Sequence, residues 1–517
     1  MTGEEAKDGE YSITETVPRA KSPAIVSGDL QALPTTALSY TQDSMSSEPD
    51  EQDADVSTLL SEVLDPDNDI TSRNGDNETR ADTTRDRDDW WTLADPQVQD
   101  EDDVDSFLNE CKHYFILSRS GKPIYTMHGT DEIVSGYMAI VQTIVSFFED
   151  DDEGEQLRSF TAGRALFVVA IEDPLILIAV DKLGQSEAQL RAQLNVLYAQ
   201  ILSTLTKSQI SKAFQVRSNF DLRHLLGGTE VFLNALTKEM SEGSPSILLG
   251  ALECLRIRKT LRNKINNTLL DCRTPNLLYG MIIADSRLVS VIRPRRHSLH
   301  PPDLYLVFSM LFNTSAFRDG GEHWAPICLP RFNSFGFLYA YIHFFADDIA
   351  LVLISPDKNA FFEMRQAKDN IMAQLDKQDL IEPVKHALVK GRFRCVDIPA
   401  PLIRHFLYKS KANVQFVMPS YETHFYDRHS RLRLMYLYHQ LHRNVHSRPL
   451  AGGGSLKVFH TVRQNATALA WLTPSFELYC VTGAPTTKDV ISQSVKQVVN
   501  WIKQQEERLF ILGGGVF

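Results

Sequence analysis

Three histidines, His439, His442 and His446, are the residues whose types and spacing come nearest to metal chemistry in this chain. At i, i+3 and i+7 they share a helix face, so an ion bridging two of them is geometrically allowed. No Cys, Asp or Glu stands close in sequence to complete a ligand set, which favours a solvated helix face. Phosphate and acyl chemistry find less support. The sequence has no GxxxxGK[ST] loop, no GxGxxG between strand and helix, no HExxH and no GxSxG. Its Gly-rich runs are AGGGSL from Ala451 and the terminal GGGVF; the first joins a helix to a strand with no helix N-terminus after it, so it reads as a flexible connector. No catalytic, metal-ligating or cofactor-binding residue is assigned, and no cofactor is expected.

Basic residues carry a stronger signal. Arg256, Arg258, Lys259, Arg262 and Lys264 cluster on one connector, and Arg293, Arg295 and Arg296 sit between a hairpin and a helix. Arg428, Arg431, Arg433, Arg443 and Arg448 follow with no acid between them. Near an anionic membrane each such cation contributes about 1 kcal/mol, with plain solvated charge as the other reading. The lipid-facing candidates are Arg256, Arg258, Lys259, Arg293, Arg295, Arg296, Arg431 and Arg433. Nucleic acid is not expected, because no RNP, KH or zinc-finger pattern is present. One aromatic stands apart: Trp324, in GGEHWAPICLP with Pro326 and Ile327, opens an edge-like strand where a core tryptophan is not the easy choice. It reads either as a binding hot spot or as packing under a loop.

These residues need elements to position them, and charge divides the chain first. Residues 1 to 110 hold 29 of the 66 acids and 7 of the 53 bases, a net of −22, which leaves +9 on the rest. A basic body behind an acidic tail favours anionic surfaces, with the tail either competing for them or merely solubilising. Residues 1–109 are too poor in apolar side chains to offset the entropy of ordering and are expected to be a disordered acidic tail. Two islands interrupt it, VSTLLSEVL near Leu60 and the pair Trp90 and Trp91. Six dispersed cysteines without a CxxC pair read as free thiols of a reducing compartment. The N-terminus lacks a secretory pattern, and the longest apolar run, from Phe335 to Ala346, is shorter than the ~18 residues a membrane span needs. The N-x-[ST] match at Asn465 is therefore read as chance.

From Lys112 the pattern is strand, Gly-containing turn, strand, then a helix whose apolar residues run from Ile133 through Ile140 to Phe148. The width of that face predicts burial against a sheet. Three strands (LRSF, ALFVVAIE, LILIAVDK) and a helix capped by Ser186, over about Glu187 to Thr206, complete a ββαβββα order. The order returns from Leu277, with hairpin, helix at Pro301, three strands and a helix over Asp357 to Leu375. A weaker third round starts at Leu402 and ends in the helix opened by Thr487. Helical connectors are expected at Asp221 to Leu236, Pro245 to Asn263 and Lys377 to Val389. The fold class is α+β: three longin-like domains in series after the tail, at 110–264 with its connector, 272–378 and 379–517.

KHYFILSRSGKPIYTMHGTDE, ALFVVAIEDPLILIAV, EHWAPICLP and FELYCVTGAPTTK together resemble the SAND family of vacuolar fusion proteins, over about Cys111 to Phe517. The resemblance implies three longin domains and a heterodimer with a Ccz subunit. That pair would act as a guanine-nucleotide exchange factor whose substrate is the late-endosomal Rab, after recruitment by the early-endosomal Rab and by a phosphoinositide membrane surface. It implies a cytoplasmic protein peripherally attached to endosome and lysosome or vacuole membranes, with no chemical active site of its own. The first module is the expected exchange platform, and the region of Trp324, Pro326 and Ile327 the expected recruitment site. A non-catalytic tether or coat-type adaptor of longin domains is the alternative.

Overall fold

The structure is a computed structural model that describes residues 104–149, 156–297, 299–318, 321–446, 457–463, 466–483 and 486–517. The two apolar islands, the tryptophan pair, AGGGSL, Arg448 and Asn465 lie outside the described residues.

The first module is built from β1 (Lys112–Ser118), β2 (Pro123–Thr126), a helix over Asp131–Glu149, β3 (Ser159–Ala162), β4 (Ala165–Glu172), β5 (Leu175–Asp181) and a helix over Glu187–Thr204. A short helix, α1 (Val104–Asn109), precedes them, so the two longer helices are α2 and α3. The strands form an antiparallel sheet in the order β2-β1-β5-β4-β3, with the central β1 and β5 buried along their whole length. Ser186 caps α3 reciprocally with Gln189, as the sequence predicts.

Three sequence expectations are corrected here. The folded part starts before Lys112: the Phe107 ring of α1 lies 4.5 Å from His113 and 5.4 Å from Tyr137, buried against β1 and α2. The connector after α3 is more broken than the apolar spacing suggests, with α4 (Lys207–Val216), α5 (Arg223–Leu226) and α6 (Glu230–Glu242); Gly227 and Gly228 split the span read as one helix. Pro245 to Asn263 is not a helix either, but α7 (Pro245–Leu249), a two-residue strand β6 (Leu252–Glu253) and the start of α8 (Lys259–Asp271).

The second module repeats the first with β7 (Tyr279–Ala284), β8 (Arg287–Arg293), α9 (Pro301–Asn313), β9 (Glu322–Leu329), a turn of helix α10 (Pro330–Asn333), β10 (Ser334–Ala346), β11 (Ile349–Ser355) and α11 (Phe361–Lys377). Asp285 and Ser286, both at positive φ (46° and 57°), make the tight two-residue turn between β7 and β8 without a glycine. After α12 (Ile381–Lys390), the third module has β12 (Ile403–Ser410), β13 (Gln415–Val417), α13 (Arg428–His446), β14 (Val458–Val462), β15 (Thr467–Leu472), β16 (Phe476–Thr482) and α14 (Lys488–Gln504). A turn, α15 (Glu506–Leu509), and a last strand, β17 (Gly515–Val516), follow.

Each of the later sheets borrows a strand. β17 joins the second module beside β8, and β6 joins the third beside β13, both in parallel. The seam is pinned by Arg262, which is 4% exposed and donates to the carbonyls of Val289, Glu507, Phe510 and Leu255. Arg392 grips Glu253 with two bonds of 2.7 Å, and Gln415 pairs with the Ile511 backbone. Modules one and three meet as well: Gln189 donates to the His439 carbonyl at 3.0 Å, and Arg443 to that of Gly184 at 2.8 Å. The three modules thus follow one another in series as expected, and exchanged strands and side chains also interlock them.

Candidate functional site

Trp324 lies on β9, the edge of the second sheet, opposite Tyr341 on β10. Alternation along the strand sends Trp324 and Pro326 to one face and Ile327 to the other. On the first face the indole is half-buried, stacked 5.7 Å from Tyr339 and edge-on to Phe361, while its Nε1–H donates to the Lys358 carbonyl at 3.2 Å. Phe362, 5.3 Å from Phe361, is 75% exposed. Ile327 is 2% exposed within the core beneath α9, so it offers no recruitment surface. The accessible patch is Trp324, Pro326 and Phe362. Phe362 is missed from sequence because it arrives from a helix 38 residues downstream of Trp324, across two strands.

The helix α2 carries a second apolar surface. Val134, Met138, Val141 and Val145 face the sheet, but Ile140 and Phe147 are 61% and 76% exposed. Most of the predicted face is thus buried against the sheet, with Ile133, Tyr137 and Ile144 also packed there, while Ile140 and Phe148 of that face, and Phe147 beside it, remain exposed.

The basic residues separate by use. Arg256 is half-buried with its guanidinium 5.9 Å from Phe393 and 5.8 Å from Trp501, where burial lowers its pKa. Arg262 is interior. Lys259 is exposed and paired with Glu507, while Arg258 and Lys264 are exposed on the same helix. Arg295 and Arg296 are exposed where the backbone of Arg293 and Arg295 pairs with Phe517, and Arg293 itself is half-buried. Both groups thus border the C-terminal segment. On α13, Arg431 is exposed 5.8 Å over the Tyr421 ring, Arg433 is exposed, and Arg428 pairs with Glu242 of α6 at 3.3 Å.

The histidines do not form one solvated face. His439 is buried toward the first module, His442 is half-buried and His446 is exposed. Nor are they without an acid: Glu477, from β16, brings its carboxylate to 3.5 Å from His446 Nε2. Sequence distance hid it, since β15 and β16 fold back beneath α13.

Among the described residues no helix is long and apolar enough to cross a membrane. The three sheets, each with the order of the first, define a tandem-longin protein. Residues 112–236, 275–373 and 402–506 match the first, second and third longin domains of FUZ, MON1 and HPS1. The chain is 56% identical over 427 residues to vacuolar fusion protein MON1 of Yarrowia lipolytica, covering 82% of this chain and 78% of that one. It is 35% identical to protein SAND of Takifugu rubripes over 418 residues, 80% of this chain and 78% of the relative. Likewise it is 34% identical to MON1 homolog A of Gallus gallus over 418 residues, 80% of this chain and 75% of the relative. The chain belongs to the MON1/SAND family.

Proposed function

We propose that this chain works in vacuolar fusion as one subunit of a guanine-nucleotide exchange factor, paired with a Ccz subunit and acting on the late-endosomal Rab. The observation that carries the reading is the exposed apolar face of α2, Ile140 and Phe147, on a longin module of a chain 56% identical to a vacuolar fusion protein. Such a face suits a second longin domain. Exchange needs no reacting group in the chain. It needs a surface that binds nucleotide-free Rab better than nucleotide-bound Rab, since only differential affinity shifts that equilibrium. The Trp324, Pro326 and Phe362 patch then serves the early-endosomal Rab as recruiter, and Arg258, Arg295, Arg296 and Arg431 serve a phosphoinositide membrane surface.

Nucleotide release from a panel of Rabs, measured with this chain alone, with Ccz alone and with both, tests the reading. Acceleration confined to one Rab and requiring both subunits is expected. No acceleration of any Rab by the pair would leave the tether or adaptor.

A further inference from the structure

His442 and His446 stand at i, i+4 near the C-terminus of α13, with ring centroids 4.1 Å apart. Glu477 on β16 completes the group, and one ligand atom from each of the three lies within 4.8 Å of the others. The His446 Nε2 to Glu477 Oε2 separation of 3.5 Å is too long for a strong charge-assisted hydrogen bond. It matches the spacing of about 3.4 Å between two ligands held at about 2.1 Å from a tetrahedral zinc ion.

The surroundings suit an ion. The two carboxylate oxygens are divided. Oε1 faces Lys409 at 3.8 Å and Lys411 at 3.7 Å, whereas Oε2 accepts from the Tyr479 hydroxyl at 3.1 Å and faces His446. Tyr479 and the lysines thus orient the carboxylate with one oxygen toward the imidazoles.

We propose that His442, His446 and Glu477 form a three-ligand site for a divalent ion of the zinc class, with water at the fourth position. Two imidazoles and one carboxylate are a borderline-soft donor set, which selects zinc over calcium or magnesium. The ion fastens the end of α13 to β16. It also reaches the seam between modules one and three, because Gln189 of α3 contacts His442 Nδ1 at 3.3 Å and donates to the His439 carbonyl. Repulsion from Lys409 and Lys411 makes the site weaker than a closed structural one.

Titration of the chelator-treated full-length chain with Co²⁺, followed by its ligand-field absorption, and Zn²⁺ competition against a chromophoric chelator test the site. One equivalent is expected, bound at least tenfold more weakly by His446→Ala and by Glu477→Gln, and severalfold more tightly by Lys411→Met. His446 is exposed, so His446→Ala keeps the fold, checked by circular dichroism. Absence of a stoichiometric equivalent, or a loss smaller than tenfold in His446→Ala, overturns the assignment.

Discussion

Phe362 and Trp324 share a patch but not a structural role, and substitution separates them. Trp324 stacks on Tyr339 and donates to a backbone carbonyl, so Trp324→Ala removes packing as well as surface. Phe362 is mostly solvated, and Phe362→Ala should change the urea midpoint by less than about 0.5 kcal/mol in equivalent stability. If the patch is the recruitment site, the same change weakens Rab binding by about tenfold in a pull-down or interferometry titration. His405 makes a prediction about pH. It is fully buried, stacked on Tyr421 and 2.8 Å from the Tyr438 hydroxyl, and burial pushes its pKa down to about 3. Between that value and the ordinary value near 6.5, the unfolded chain holds a proton that the folded chain does not. Stability from this residue is therefore complete above pH 6.5 and falls by about 1.4 kcal/mol per unit as pH drops. Urea unfolding of His405→Gln should show a loss between pH 7 and pH 5 that is about 2 kcal/mol smaller than in the parent chain.

At the scale of elements, the borrowed strands decide stability at the seam. β6 and β17 are each two residues long and bring little pairing of their own, so Arg262 must hold the backbone that carries them. Arg262→Met leaves four carbonyls without their donor and should cost about 3 kcal/mol or more, seen as a lower urea midpoint. Arg262→Lys should recover less than half of that loss, because one ammonium cannot reach carbonyls arranged around a planar fork. The tight packing under β17 points the same way: a Cβ at Gly515 would sit 2.6 Å from Ile292 Cγ2. None of this was legible in the sequence. A two-residue strand has no periodicity, and the terminal GGGVF reads as a loop until β8 supplies its partner.

For the whole molecule, the acidic N-terminal stretch and the basic body predict an electrostatic contest for anionic surfaces. Removal of residues 1–103 should raise liposome binding or exchange activity, whereas unchanged or lower rates would reject an inhibitory role. The boundary matters: deletion through residue 108 would also take Phe107, which is buried against β1, and would confound the result with instability. Sequence by itself determined the module count, the ββαβββα order, most strand positions and the capped start of α3. Those features rest on local periodicity, turn residues and caps, which a linear reading can see. Tertiary structure decided which surfaces remain. It placed Ile327 under α9 and Phe361, with exposed Phe362 next to it, against Trp324, left Ile140 and Phe147 of α2 facing outward, buried Arg262 as a clasp and set Glu477 beside His446. Each depends on contacts between residues far apart in the chain, which composition and spacing do not encode.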